Sequence, residues 1–188
     1  LQCENAEYLG DITTESNLKA GHDYMMYTVG TVAARARNQG GLVPKKDYYK
    51  KEFQSSDRSK YKLVMPRQFV YRKEGANIGN YGWNRYSYPF AVSPIYVVFS
   101  IDETRILHDY LFNVLRSDFF ISSAEDLMKG VARAGLPYAD FAKMKIPLPS
   151  IEKQKEIVRM EQDIDFRVRE IKALDEKIQD EITGLFLT

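Results

Sequence analysis

The feature that most constrains this chain lies at its C-terminal end, where Ile157, Ile164, Ile171, Ile178 and Leu185 recur every seventh residue. Met160, Val168, Leu174 and Ile182 form a second row that shifts between the fourth and fifth heptad positions. An apolar seam held over four heptads predicts a helix that pairs along its length with another helix. Ile146-Pro147-Leu148-Pro149 cannot be helical, because its two prolines fix φ and remove donors, so the helix begins after an extended entry segment. Ser150 is the expected N-cap, and Glu152 suits the positive end of the helix. From Ile151 to Phe186 such a helix would run about 50 Å at ~1.5 Å per residue, far beyond the roughly 15 Å radius of a 150-residue globule. We therefore assign Ile157, Ile164, Val168, Ile171, Leu174, Ile178, Ile182 and Leu185 to a pairing interface with a second copy or a second unit. Packing across the chain's own domain is the alternative. Arg167 and Glu181 interrupt the second row, so the seam does not specify a clean dimer.

The remainder, residues 1–149, reads as one small mixed domain, giving an α+β chain of globule plus long helix 150–188. Residues 11–18 look like a turn region, and 24–29 like a strand from their aromatic and β-branched content. Asn38-Gln39-Gly40-Gly41 signals a loop, and 47–53 a short helix. Residues 61–65 and 69–71 read as short strands separated by Pro66, and 75–82 as a glycine-rich loop. Residues 95–99 are five apolar or aromatic residues in succession, the mark of a strand buried on both faces. A helix is expected after Asp102, with Ile106, Tyr110, Leu111, Val114 and Leu115 at helical spacing. Ser122 and Glu125 have capping-box spacing ahead of a second short helix, and 140–144 could form one more turn.

Net charge is only +1, but it is unevenly spread. Residues 33–86 hold 13 Lys/Arg against four Asp/Glu, whereas 151–188 hold seven against ten. A basic region within a neutral chain fits a phosphate-contacting surface, although a solvated Lys-rich face would look the same. Little else suggests chemistry. His22 and His108 have no metal-ligand spacing with each other or with Cys3, so no metal and no cofactor is assigned. There is no phosphate-binding glycine loop, dinucleotide fingerprint or nucleophile elbow, and the carboxylates of the basic region are dispersed among cations. These absences argue against catalysis in this chain. No apolar run approaches the roughly 20 residues that span a bilayer. A single cysteine and no visible signal peptide fit a reducing cytoplasm.

Reading DNA needs cations for phosphates, and amide or guanidinium groups for base edges. Arg35, Arg37, Asn38 and Gln39 lie together beside the Gly-Gly turn. Lys45 and Lys46, followed by Lys50 and Lys51, interleave with Tyr48 and Tyr49. Arg58 and Lys60 follow Ser55 and Ser56, and Arg72, Lys73, Asn77, Asn80, Asn84 and Arg85 decorate the glycine-rich stretch around Trp83. Each of these could equally be a solvated loop residue, and Trp83 could serve packing or DNA.

Several of these segments resemble specificity subunits of type I restriction–modification systems. Gly41-Leu42-Val43 with Tyr48-Tyr49 is similar to that family's Gly-Leu-Val and aromatic pair. Residues 56–64 resemble its Ser-x-Asp-x-Ser-x-Tyr-x-x-Val segment, Phe69-Val70-Tyr71 its Phe-x-Tyr strand, and 92–99 its Val-Ser-Pro-x-Tyr-x-x-Phe strand. Residues 130–136 resemble a Gly-x-Arg-x-x-Leu stretch with altered spacing. Residues 146–158 resemble the Ile-x-Leu-Pro-x-x-x-Glu-Gln-x-x-Ile that opens the family's helix, with Lys153 inserted between Glu152 and Gln154. The resemblance implies a target-recognition globule for double-stranded DNA plus one helix of a central antiparallel pair. It also implies methyltransferase (modification) subunits that carry the S-adenosylmethionine chemistry, and an ATP-driven restriction subunit, as partners. One unit is present, which implies either a half-length subunit that pairs as a homodimer or a piece of a two-unit subunit. Two other readings remain open: the recognition domain of a single-chain type II restriction–methyltransferase enzyme, and a coiled-coil interaction protein that binds no DNA.

Overall fold

A computed structural model describes residues 5–33, 41–49, 57–129 and 135–186. Its centre is the strand β9 (Tyr96–Ile101), the one read from its unbroken apolar run. Side chains alternate across a strand. Val97 and Phe99 therefore enter one core while Tyr96 and Val98 enter another. Strand β6 (Phe69–Arg72) lies beside it and splits in the same way, Phe69 and Tyr71 on one side and Val70 on the other. With β2 (Thr13–Ser16) and β7 (Tyr81–Trp83) they form an antiparallel sheet of order β2-β9-β6-β7.

One face of this sheet is covered by helices α2 (His108–Leu115), α3 (Asp118–Met128) and α4 (Tyr138–Phe141). Their aromatic residues meet those of the sheet: ring centroids of Phe69 and Phe99 are 5.2 Å apart, and those of Tyr71 and Phe141 5.1 Å. The Tyr71 hydroxyl donates to the Leu136 carbonyl at 3.0 Å, and burial drives its proton affinity far above that of an ordinary phenol. The other face meets a second sheet, β4-β3-β8-β5, built from β3 (Thr28–Ala33), β4 (Gly41–Pro44), β5 (Lys62–Val64) and β8 (Phe90–Val92). Only its β3–β8 pair is parallel. The two sheets touch where β4 passes over Gly82, at which a Cβ would lie 2.5 Å from the Leu42 nitrogen. Strands β1 (Ala6–Tyr8) and β10 (Lys145–Pro147) pair antiparallel. Helix α1 (Lys45–Tyr48) is a single turn, and α5 (Ile151–Phe186) is the long helix.

The mixed globule with a long terminal helix is the architecture expected from the sequence, with local corrections. Residues 21–26 form 3₁₀ turns, and the strand expected there starts at Thr28. Met25 and Met26 are exposed, so their apolar character did not mark a buried strand. The expected turn at 11–18 contains β2, and the expected loop at 75–82 contains a 3₁₀ segment, Lys73–Ile78, and then β7. Asp102 caps a turn through Thr104 rather than the helix, which starts at His108. Helix α3 starts earlier than the Ser122–Glu125 spacing suggested: the Ser117 hydroxyl accepts from the Phe120 N–H at 3.3 Å. Ser150 receives the Lys153 N–H at 3.3 Å, as its expected capping role requires. No described helix is long and apolar enough to cross a membrane.

Candidate nucleic-acid interface

Between the two sheets opens a recess of about 380 Å³ lined by Lys45, Tyr49, Tyr61, Arg72, Ser93 and Tyr96 over a floor from β3. Local structure explains the convergence. Pro44 pairs with Gly30 in the β3–β4 ladder, so the first residue of α1, Lys45, emerges beside Gly30 and Thr31. Arg72 ends β6 opposite Tyr96 of β9. The Tyr96 hydroxyl lies 3.1 Å from the Thr31 hydroxyl, tying one sheet to the other at the floor. Arg72 holds Glu74 at 3.2 Å with both side chains about half exposed, so the pair is easily exchanged for another anion. Two cations, four hydroxyl side chains and three phenol rings can together receive a phosphate and stack on a base or sugar.

A second basic group adjoins it through Tyr61. In the segment before β5, Asp57 accepts the Ser59 N–H at 2.8 Å. That bond, a side-chain bond from Ser59, and the charges of Lys60 and His22 hold its carboxyl below the ordinary range. The Arg58 guanidinium lies 5.5 Å over the Tyr24 ring and donates to the Met25 sulfur at 3.7 Å. Lys60 is exposed on the same segment, whose ends are bonded to Ala20 and Gly21. Lys46 is exposed on α1.

The structure divides the remaining sequence candidates. Arg35, Arg37, Asn38 and Gln39 lie outside the described residues. Lys73 and Asn77 belong to the 3₁₀ segment that packs on α3, and both are half-buried. Asn80 is buried against Gly75. Asn84 is buried too: its amide donates to the carbonyls of Val64 (3.0 Å) and Tyr88 (2.9 Å) and accepts the Tyr86 N–H (2.9 Å). Both of its amide hydrogens are committed to the fold, so the base-contact role suggested by its neighbours in sequence does not fit. Arg85 sits at the end of the β6–β7 hairpin remote from Arg72, because Phe69 pairs with Trp83 and Tyr71 with Tyr81. There it pairs with Asp109 at 2.7 Å and covers the rings of Trp83 (4.7 Å) and Phe112 (5.1 Å). Trp83 in turn packs 4.7 Å from the His108 ring. Burial holds His108 below the usual histidine range. Sequence reasoning missed the rim residues Tyr61, Ser93 and Tyr96 as possible ligand contacts; the only available signal was the abundance of tyrosine.

The long helix presents a separate surface. Ile157 is half-buried against the helical core of its own globule, together with Val158. The rest of the seam, Ile164, Val168, Ile171, Leu174, Ile178, Ile182 and Leu185, is exposed, Ile171 by 65% and Leu185 by 78%. Among the described residues no group of three or more His, Cys, Asp or Glu could hold a metal ion.

Residues 9–183 match the family model described as type I restriction modification DNA specificity domain. A search of curated proteins finds no match. Among solved structures, the HsdS subunit from Thermoanaerobacter tengcongensis superposes with a TM-score of 0.64 at 17% identity, over 94% of this chain and 46% of that one. A structure from a study of complex assembly and conformational transition of the type I R-M system gives 0.59 at 14% identity, over 96% and 43%. The type I restriction-modification S subunit from M. genitalium gives 0.54 at 12% identity, over 89% and 40%. The chain thus spans under half the length of each of these structures.

Proposed function

The chain belongs to the family of type I restriction–modification DNA specificity domains, a family of DNA recognition rather than catalysis, and on that premise we propose that it is one recognition unit of a specificity subunit. Residues 1–149 read one half of a split target in double-stranded DNA. Lys45 and Arg72 hold a backbone phosphate at the tyrosine-lined recess, Arg58, Lys60 and Lys46 extend the basic surface beside it, and Lys73 and Asn77 lie at its margin. Residues 150–188 pair with the helix of a second recognition unit, in another copy or in a longer chain. The assembly works in the cytoplasm and directs methyltransferase (modification) subunits, and with them a restriction subunit, to the site. The observation that carries this reading is the exposed apolar seam on a helix that outruns its own globule. An isolated reader of DNA has no need of it, whereas a unit that pairs with another does.

The test is a methylation map. The protein is expressed with its methyltransferase subunit in a host free of DNA methylation, and N6-methyladenine is located by single-molecule sequencing. A split motif is expected: identical inverted halves mean that two copies pair, and different halves mean a second unit. In binding assays, Lys45→Glu and Arg72→Glu weaken affinity for all sequences, and each lowers the salt dependence by about one counterion. Associated, well-folded proteins that methylate no motif overturn the reading.

A further inference from the structure

The junction between globule and helix is built from more than apolar packing. Gln154, in the first turn of α5, is completely buried. Its amide nitrogen donates to the carbonyls of Arg105 and Pro149, both at 2.9 Å, and its oxygen accepts the Leu107 N–H at 2.9 Å. The segment joining β9 to α2 is thereby pinned to the start of the helix. The same junction is braced by the Tyr110 hydroxyl, which donates to the Pro147 carbonyl at 2.9 Å, and by Arg105, which pairs with Glu7 at 3.0 Å. A buried amide with its donors and acceptor engaged is a geometric constraint, because a rotation of the helix would leave backbone groups unpaired.

Further along α5, the residues less than exposed are Ile151, Gln154, Ile157, Val158, Glu161 and Asp165, a single stripe at helical spacing. From Phe166 to Phe186 every residue is exposed. Those 21 residues extend about 31 Å at ~1.5 Å per residue. The docked stretch ends beside Arg116, the residue that closes α2. Its guanidinium lies 4.8 Å over the Phe112 ring, and the carboxylates of Asp165 and Glu161 act on its charge from α5. Burial and the neighbouring Arg85 oppose that charge, so these two carboxylates are what compensate it.

We propose that Gln154 and Arg116 form a two-point mount that sets the direction in which the long helix leaves the recognition globule, and through it the gap between the two half-sites. One attachment is a pivot; a second, about three turns away, fixes the angle. The leverage is large, since over an arm of about 31 Å a swing of roughly 6° moves the tip by ~3.4 Å, one base-pair step. Both are positioning residues and touch no DNA. The proposal rests on the specificity reading given above.

The test is the same methylation map, made with the full natural chain and its methyltransferase subunit. The wild type is expected to show one gap length. Arg116→Gln and Gln154→Leu are expected to methylate sites with two or more gap lengths while the bases of each half-site stay the same. Arg116→Lys, which keeps the charge facing Asp165 and Glu161, restores a single gap. A variant that is merely less stable would lower methylation at all sites and leave the gap unchanged. Because Gln154→Leu strands buried backbone groups and could fail to fold, Arg116→Gln is the deciding variant. A wild-type split motif whose gap Arg116→Gln preserves overturns the mount alone. A wild type with no split motif overturns the specificity reading and the mount with it.

Discussion

Arg67 has φ +68°, in the left-handed region, and is the only described residue other than glycine with positive φ. It follows Pro66 in the turn closed by the Gln68 N–H on the Met65 carbonyl at 3.0 Å. A side chain in this conformation costs about 1–2 kcal/mol. In partial compensation, its guanidinium pairs with Glu103, and its carbonyl lies 2.9 Å from His108 Nε2. With Nε2 donating there, Nδ1 is left to accept from the guanidinium at 3.4 Å, which fits the neutral ring that burial favours. The ion pair is exposed and worth under about 1 kcal/mol. Arg67→Gly and Arg67→Ala both lose the pair, and only glycine relieves the backbone. Arg67→Gly should therefore be more stable than Arg67→Ala by about 1 kcal/mol in denaturant titrations.

At the level of elements, the fold depends on two sheets meeting back to back at one crossing. Gly82 of β7 lies under Gly41 and Leu42 of β4, with backbone atoms 2.5–2.8 Å from where a Cβ would be. Backbone in a paired strand cannot step aside as the tip of a flexible side chain can. Gly82→Ala should accordingly cost about 1–3 kcal/mol, read as a lowered melting temperature. It should also open the recess, because Lys45 follows directly from β4. The resemblance flagged the Gly41-Leu42-Val43 segment, yet nothing in the sequence revealed that its partner is Gly82, forty residues away. Similarly, Gln154 was legible as a motif residue, but its role required knowing that residues 105–107 fold back onto it.

Across the whole molecule, the helix beyond Asp165 contributes nothing to the described core, and its seam awaits a partner. Ile171→Asp combined with Ile178→Asp should abolish helix pairing in analytical ultracentrifugation while leaving the melting of the globule unchanged, since both side chains are more than half exposed. The sequence by itself determined this helix from cap to end, the extended entry before it, and the central strand β9. Those signals are local: a period of seven, two prolines, and five apolar residues in a row report on backbone conformation without reference to distant parts of the chain. It also located the basic region. Only the tertiary structure decided which basic residues act together. Strand register sends Arg72 to one end of the β6–β7 hairpin and Arg85 to the other. Asn84 turns inward to hold a turn, and Lys45 joins Arg72 across two sheets. Proximity between residues far apart in sequence comes from how sheets pair and cross, and no local pattern of charge encodes it.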